Sequence, residues 1–287
     1  MGFKPSELLA FYENKTQAIL RRYGPGPRVH YHTGLVEDER IGEAGAGRLR
    51  ELLVLSQENL LRHAAQAWRL DLLKDRSILD VGCGLGGGAL FLAQEFGARV
   101  TALTIVPSHA ELVRRFAARA GVSKLVAPMI GDALEVRGDS QFDAAIAIDS
   151  SSSFPRAPWF RRLAKVLRPQ GRVLIADCVL VDQKYEDPFN THWRARIGTL
   201  DEYLGAARAA GFREEAIEDV SVQAGNFWSL SLSLMRREET SGDRDVNSTA
   251  RFKDSRRMHA LVREGLASGG LRYLLLGFSR AALESST

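Results

Sequence analysis

From Ser77 onward, apolar runs of strand length alternate with helical patterns, and this alternation constrains the fold more than any other feature. Buried strands are predicted at SILDVG, RVTALTI, LVAPMIGD, FDAAIAID and GRVLIADCVLV, followed by EEAIEDVSV and Leu271–Phe278. Helices are predicted at 87–96, 109–120, 160–167 and 199–210. Because strand–helix–strand units form right-handed crossovers, the pattern predicts an α/β fold with a parallel, doubly wound sheet.

Three segments lie outside this alternation. Residues 1–70 contain two amphipathic helices joined by a stretch rich in glycine, proline, tyrosine and histidine, and we predict an N-terminal helical cover. Residues 71–287 are predicted to form the sheet domain. Within it, segments 181–198 and 226–268 are predicted lids, since insertions after strands cover the crevice at the sheet edge.

The composition excludes several classes of protein. Apolar residues make up 45% and charged residues 26%, which is ordinary for a globular chain. The 39 basic and 35 acidic residues give a net charge of +4 without long basic runs, so no nucleic-acid groove is expected. Cys83 and Cys178 are too few for a disulfide framework or a structural zinc site. No apolar stretch reaches the roughly 18 residues of a membrane helix. We therefore expect a cytoplasmic protein without a membrane partner.

The glycine loop LDVGCGLGGG (79–88) is the clearest ligand-binding motif. Asp80 closes a strand, Gly82, Gly84 and Gly86 follow at alternate positions, and a helix begins. Glycine lets the backbone approach a ligand, and the N–H groups at the helix N-terminus can bind its carboxylate. A bare G-x-G is also typical of dinucleotide-binding enzymes, so the loop alone leaves both classes open.

Three further features separate these classes. An acid lies two positions before the first glycine, GDALE (131–135) ends the third strand, and FDAAIAID and LRPQGRVLIAD follow in order. Together, over about residues 75–180, these segments resemble the class I S-adenosylmethionine-dependent methyltransferases. The resemblance implies a Rossmann-like fold with S-adenosylmethionine as cofactor.

The same resemblance suggests roles for individual residues. Asp80 would orient the loop and the cofactor amino group, Asp132 would accept from the adenine amine, and Ala133 would donate from its backbone. Many relatives carry an acid at the end of the second strand, which binds the ribose, but this chain reads TALTIVPSHAEL there. Ribose contacts are therefore expected from Thr104, Ile105 or His109.

A narrower resemblance extends over nearly the whole chain. YGPGPRVHYHTG (23–34), FNTHWRARIGTLDEYL (189–204) and GNFWSL (225–230) are similar to segments of the geranyl diphosphate C-methyltransferase group. This implies methylation of an isoprenoid alkene: geranyl or farnesyl diphosphate, or the terpenoid side chain of a natural product. A diphosphate acceptor would bring Mg²⁺, held with help from Asn190 or His192. Cysteine and histidine spacing gives no support for a metal site built from protein alone.

Alkene methylation leaves a carbocation, which needs aromatic faces, a base and exclusion of water. Asp149, at the end of the fourth strand, is predicted either as this base or as the cap of the following serine turn. The resemblance places a glutamate there, so the aspartate is a departure. The other catalytic candidates are His192, Tyr31, Phe227 and Trp228; the candidates for binding the acceptor are Tyr23, Arg28, His30, His32, Phe154, Asn190 and Trp193.

Two alternatives stay open. An O- or N-methyltransferase of a small natural-product scaffold would need a base beside a hydroxyl or amine, which His30, His32 or His192 could supply. A non-catalytic cofactor-binding protein is disfavoured because Asp80, Asp132 and the glycine loop are all present. The sequence leaves homo-oligomer formation undecided.

Overall fold

The computed structural model describes residues 5–37, 44–240 and 250–280. Its centre is a seven-stranded sheet in the order β3-β2-β1-β4-β5-β7-β6. The strands are β1 (Ser77–Val81), β2 (Arg99–Thr104), β3 (Val126–Ile130), β4 (Phe142–Ile148), β5 (Leu167–Leu180), β6 (Phe212–Asp219) and β7 (Leu271–Arg280). The predicted α/β fold with its Rossmann-like sheet is confirmed.

The helices in the described residues pack around this sheet. They are α1 (Pro5–Tyr23), α2 (Ala46–Ala67), α3 (Gly87–Phe96), α4 (Pro107–Arg119), α5 (Arg156–Val166), α6 (Glu186–Trp193), α7 (Leu200–Ala209), α8 (Ser221–Thr240) and α9 (Ala250–Ser268). The predicted lid 181–198 contains α6, and the predicted lid 226–268 contains most of α8 and all of α9. Positions 241–249 of that second lid lie outside the described residues.

The sheet is not wholly parallel, which corrects the sequence prediction. β7 lies between β5 and β6 and runs antiparallel to both. The reason is the connection: α8 begins directly after β6, and α9 ends directly before β7. The chain therefore leaves the sheet through α8 and returns through α9 to the same edge. As a result, β7 runs in the direction opposite to β6.

Alternation along the strands builds a core on each face of the sheet. Ile78 and Ile146 face the side covered by α2 and α3, whereas Leu79 and Ala145 face the side covered by α5 and α7. The chain order reverses between β1 and β4, so the carboxyl ends of these strands border the topological crevice. A ligand site is expected there.

A cover segment, residues 24–37, crosses this crevice after α1. Its backbone is fastened to α2, where Leu35 N donates to Ser56 O at 2.9 Å. The Gln57 side chain adds a hydrogen bond from Nε2 to the His32 carbonyl at 2.7 Å. The division of the chain near residue 70 into a cover and a sheet domain stays a prediction, because the cover shares one apolar core with the sheet.

Candidate active site

One large cavity of about 520 Å³ lies at the carboxyl edge of the sheet, beneath the cover segment. Its floor is formed by the glycine loop and the ends of β2 to β5. Its walls and roof come from α1, the cover segment, α6, α8, α9 and β7. The volume is in the range of small-molecule sites in proteins.

The glycine loop opens into this cavity at Gly84. Its φ is 54°, and a Cβ placed on it would meet nothing within 4 Å. Gly82 also lines the cavity at a φ of 77°. Gly86, which directly precedes α3, has a positive φ as well. It packs against Val113 of α4 and does not line the cavity. The structure thus assigns Gly86 to the turn, which corrects its predicted contact with the ligand.

Asp80 lies behind the loop, outside the cavity wall. Burial raises its pKa to about 7, against the effect of a hydrogen bond from the Ala89 backbone N–H. Its Oδ2 has no hydrogen-bond partner among the described residues. Asp80 is not among the residues that line the cavity, and its predicted roles in orienting the loop and the cofactor amino group stay predictions.

The positions predicted to contact adenine and ribose lie together on the cavity wall. Thr104, Ile105, His109, Asp132 and Ala133 all line it. The Thr104 hydroxyl accepts from Val106 N at 3.1 Å, and Asp132 Oδ1 accepts from Leu134 N at 2.8 Å. These local bonds fix the turns after β2 and β3, so both side chains are held in place at the cavity edge.

The side chain of His109 contacts α1. Its Nε2 lies 2.8 Å from the Thr16 hydroxyl, and burial lowers its pKa to about 4. A neutral imidazole therefore lines the cavity at neutral pH, and it joins α1 to the start of α4.

Asp149 ends β4 with its carboxylate in the cavity. Its φ of 47° is unusual for a residue other than glycine and marks a constrained position. Oδ2 accepts from Thr33 N at 2.5 Å, and Oδ1 accepts from the Tyr273 hydroxyl at 2.8 Å. Burial, followed by the charge of Asp177, raises the pKa of Asp149 above its ordinary range. Both oxygens bond to other elements, so the alternative of a turn cap is wrong.

Aromatic side chains form much of the cavity surface, and we call them the aromatic wall. The cavity is lined by Tyr12, Tyr23, Tyr31, Phe154, Phe189, Trp193, Phe227, Trp228 and Tyr273. The ring centroid of Trp228 lies 5.3 Å from that of Phe227 and 6.0 Å from that of Trp193. Trp193 lies on α6, and Phe227 and Trp228 lie on α8. Phe227 belongs to the apolar core, and both tryptophans pack against it. Burial raises the pKa of Tyr23 and of Tyr31 to about 12, so both phenols are neutral.

Four predicted acceptor or catalytic residues lie outside the cavity, which corrects the sequence analysis. Arg28 donates to Glu58 at 3.0 Å and to Glu95 at 2.6 Å. His30 is buried beside Glu58, with Nε2 and Oε1 2.8 Å apart. Their partners on α2 and α3 lie some 30 to 70 residues along the chain, where sequence patterns cannot reveal a contact.

Asn190 and His192 on α6 also bond to other parts of the protein. Asn190 Oδ1 accepts from Ile197 N at 2.7 Å and fixes the turn after the helix. His192 Nδ1 lies 2.8 Å from Asp254 Oδ2 on α9, and burial lowers its pKa. Both side chains hold α6 in position, and neither lines the cavity. Exposed Arg194 and Arg196 line it instead, on the segment that follows α6.

Several cavity residues have no prediction from the sequence. Asp177 on β5 accepts from the Ser151 hydroxyl at 2.6 Å and from Ser152 N at 3.1 Å. Tyr273 on β7, Thr33 in the cover segment and His259 on α9 also line the cavity. Asp177 is the only charged residue in the apolar run VLIADCVLV, and this signal could have identified it. Tyr273 follows Arg272 in the sequence and carries no comparable signal.

No group of three or more histidine, cysteine or acidic side chains in the described ranges could hold a metal ion. Among the same residues, no helix combines the length and apolar character needed to cross a bilayer.

The chain is similar in sequence to known methyltransferases. A family model described as a methyltransferase domain matches residues 78–171. Methyltransferase phqN of Penicillium fellutanum is 30% identical over 191 residues, covering 61% of this chain and 58% of that protein. The 27-O-demethylrifamycin SV methyltransferase of Amycolatopsis mediterranei (strain S699) is 32% identical over 161 residues, covering 53% and 59%. The chain thus spans little more than half the length of these relatives.

Solved structures resemble the chain over almost its full length. Geranyl diphosphate C-methyltransferase from Streptomyces coelicolor A3(2), in complex with Mg²⁺, geranyl-S-thiolodiphosphate and S-adenosyl-L-homocysteine, has a TM-score of 0.80 at 18% identity. The two structures superpose over 96% of this chain and 98% of the C-methyltransferase chain. The [4+2]-cyclase SpnF has a TM-score of 0.79 at 22% identity, covering 99% and 98%. The chain therefore contains a methyltransferase domain and has the fold of the class I S-adenosylmethionine-dependent methyltransferases.

Proposed function

We propose that this protein is an S-adenosylmethionine-dependent methyltransferase that methylates an alkene carbon of an apolar, isoprenoid-type acceptor lacking a diphosphate. The observation that carries the proposal is the composition of one continuous cavity. A glycine loop opens into it at Gly84, an aromatic wall lines it around Trp228, and the half-buried side chain of Asp149 lies within it.

The residues of the floor fit the cofactor. Open space beyond Gly84 leaves room for the methionine portion, and the start of α3 presents backbone N–H groups to its carboxylate. Asp132 and Ala133 would hold the adenine, and Thr104, Ile105 and His109 would contact the ribose. When bound there, S-adenosylmethionine supplies an electrophilic methyl group to the acceptor.

The aromatic wall suits the charge that alkene methylation creates. As the π-bond takes up the methyl group, positive charge develops on the neighbouring carbon, and an aromatic face stabilises such charge by about 2 kcal/mol when water is excluded. Trp228, Phe227 and Tyr31 provide these faces. Asp149, whose pKa is raised by burial and by Asp177, would accept the proton that restores a neutral alkene.

The proposal departs from a diphosphate acceptor because the expected phosphate ligands are committed elsewhere. Arg28 and His30 pair with Glu58, and His192 pairs with Asp254. Asn190 is bonded to the backbone of Ile197. The cations that line the cavity, Arg194 and Arg196, are exposed, and an exposed cation contributes little toward binding a buried anion.

A labelling experiment tests this function. The enzyme is incubated with methyl-labelled S-adenosylmethionine and matched pairs of acceptors, each prenyl chain offered as a neutral alcohol or indole adduct and as its diphosphate. We expect label on an alkene-derived carbon of a neutral acceptor, with transfer unchanged by a chelator. Transfer confined to diphosphates and dependent on Mg²⁺ would contradict the acceptor class.

O-methylation is the second candidate, and one feature favours it. A carboxylate with a raised pKa, bonded to the Tyr273 hydroxyl, could equally take the proton of an acceptor hydroxyl. A curated relative, 28% identical over 148 residues, is the tocopherol O-methyltransferase of Arabidopsis thaliana. The position of the label in the product, on oxygen or on carbon, separates the two candidates.

A further inference from the structure

His259 lies in the wall of the cavity and has no part in the steps described above. It is a half-buried residue of α9, and its ring centroid lies 4.8 Å from that of Trp228 on α8. Its Nδ1 lies 3.1 Å from the hydroxyl oxygen of Ser231, also on α8. Its Nε2 has no hydrogen-bond partner among the described residues, and the surrounding protein atoms do not seal it off. This nitrogen is therefore available to a ligand in the cavity that the ring borders.

The Ser231 hydroxyl determines which nitrogen of the ring carries the proton. Ser231 is fully buried, and its oxygen accepts at 3.5 Å from Nη2 of Arg22, a group that only donates. Ser229 and Ser233 of the same helix donate to carbonyl oxygens one turn back. Ser231 makes no such bond within α8 as described, so its hydrogen goes to the acceptor in reach, Nδ1 of His259.

His259 is a neutral ring with its proton on Nε2. Burial, followed by the charge of Arg22, lowers its pKa well below the usual range. A neutral imidazole that accepts at Nδ1 must carry its hydrogen on Nε2. The ring therefore presents a donor, and it cannot take a proton from a hydroxyl of the acceptor. The carboxylate of Asp149 remains the base in the proposed reaction.

The neighbourhood of this donor offers it no acceptor among the described residues. Trp228 packs against the ring, and Val262, one turn along α9, also lines the cavity. The indole N–H of Trp228 is itself buried without a partner in the described part of the chain. Arg22 and Lys15 of α1 are the cations that act on the ring. These surroundings repel an ammonium group and attract the lone pair of an oxygen.

A donor in an apolar wall favours a ligand with a matching acceptor. An N–H that gives up water and finds no partner loses free energy, so a wholly apolar ligand binds poorly against Nε2. A neutral imidazole supplies one hydrogen bond and no charge. The matching group is therefore an uncharged oxygen, and a diphosphate or carboxylate would find no counter-charge on this ring.

We propose that His259 is a specificity-determining residue: its Nε2–H binds an uncharged oxygen of the acceptor, in a hydroxyl, ether or carbonyl group, and holds that end of the molecule beside Trp228. The inference rests on the proposed function and deepens it, because it names the polar group that an isoprenoid-type acceptor without a diphosphate carries. With the oxygen held there, the direction of the acceptor in the cavity is fixed, and so is the alkene carbon that meets the methyl group.

Binding of three matched ligands tests the inference without any methyl transfer. The ligands are a ten-carbon prenyl alcohol, its methyl ether and the hydrocarbon of the same skeleton, each titrated into the full chain with S-adenosyl-L-homocysteine. We expect His259→Phe to weaken binding of the alcohol and the ether about five- to tenfold, the usual effect of one hydrogen bond, and to leave the hydrocarbon unchanged. His259→Gln keeps an N–H near the position of Nε2 and should recover part of that affinity.

His63→Phe is the matched control. It makes the same change at a half-buried histidine of α2 that contacts Glu218 and lies outside the cavity. All three affinities should equal those of the wild type. If His259→Phe weakens the three ligands equally, the ring is a packing surface, and if it weakens the alcohol alone, Nε2 accepts; either result overturns the proposal. So does a wild type that binds neither oxygenated ligand.

Nitrogen NMR tests the tautomer directly. At neutral pH, the ring signal that is lost in His259→Phe should show a protonated Nε2 and an unprotonated Nδ1, and Ser231→Ala should mix the two tautomers. A proton on Nδ1 in the wild type would refute the inference. If the wild type methylates no alkene but the ligands and the NMR signals behave as expected, the proposed function fails and the inference stands. If alkenes are methylated and His259→Phe binds every ligand like the wild type, the function stands and the inference fails.

Discussion

The part of the cavity that we propose for the cofactor and the part that we propose for the acceptor, called here the cofactor end and the acceptor end, are built in different ways. At the cofactor end, β1, β2 and β3 each finish in a short turn, and backbone groups with a few small polar side chains form the surface. At the acceptor end, aromatic side chains arrive from α1, the cover segment, α6, α8 and β7, which are separated by up to about 260 residues. Substitutions at the first end should therefore change cofactor affinity alone, whereas those at the second should change turnover and acceptor choice.

The largest expected effect lies in the glycine loop. Gly84→Val should abolish S-adenosylmethionine binding, because the branched side chain would fill the open space that the ligand needs. Gly121→Val is the matched control: it has a positive φ of 73° and nothing within 4 Å of a Cβ, but it lies outside the cavity. Calorimetry should show binding only in the control, with both variants folded by circular dichroism. Retained affinity in Gly84→Val would remove the loop from the cofactor site.

Asp149→Asn tests the junction between the two ends. Turnover should fall by roughly 10²–10⁴, the usual contribution of a positioned base, while cofactor affinity stays unchanged. Because the methyl group has already been transferred when the proton leaves, altered alkene isomers or a hydrated alcohol should appear among the products. Mass spectrometry of products at saturating cofactor checks this. Near-normal turnover with the ordinary product would exclude Asp149 as the base.

Trp228→Leu tests whether the aromatic wall stabilises charge. We expect kcat to fall about 30-fold, corresponding to about 2 kcal/mol of lost interaction with a cation, while KM for the acceptor changes little. Leucine keeps the apolar surface but lacks a π-face. A Phe variant at the same position should recover part of the rate. If KM alone rises, the wall is a packing surface and O-methylation becomes the favoured reaction.

The smallest effect is expected at the adenine side. Asp132→Asn keeps an oxygen for the hydrogen bond to Leu134 N, but it loses the charge that favours accepting from the adenine amine. Cofactor affinity should weaken by about 1 kcal/mol, roughly fivefold, with no change in acceptor preference. Competitive binding measured with S-adenosyl-L-homocysteine is sensitive enough for this difference. A changed acceptor profile would show that the two ends are coupled more tightly than their construction indicates.

The two ends also differ in how far sequence could predict them. β1 and β2 are each followed by a turn and a helix, and β3 is followed by a turn, so local patterns located Gly84, Thr104 and Asp132 on the cavity wall. Asp149 was located at its strand end for the same reason. Its partners Thr33 and Tyr273 are 116 and 124 residues away, and no local pattern reports them.

At the acceptor end, the predicted aromatic residues do line the cavity, whereas several polar residues were predicted by type but not by orientation. Arg28, His30 and His192 have the chemistry of anion ligands, yet each is satisfied by a carboxylate on another element. Which of two polar groups faces a cavity is decided by tertiary packing, since a buried charge must find its partner wherever the fold offers one. The antiparallel β7 was missed for a similar reason, because strand direction depends on where the preceding helices leave the sheet.

Gly87, at the first turn of α3, carries a consequence for the history of such chains. A Cβ at this position would lie 2.6 Å from the Val29 carbonyl oxygen and would also collide with the ring of His30. Glycine at position 86 is required by the positive φ, and glycine at position 84 leaves space for a ligand. At position 87, glycine is required only because the cover segment packs against it. A related protein that keeps the cover segment should therefore keep this glycine, and one with a larger residue there should have a different N-terminal segment. One position in the glycine loop thus serves as a marker for the presence of the cover.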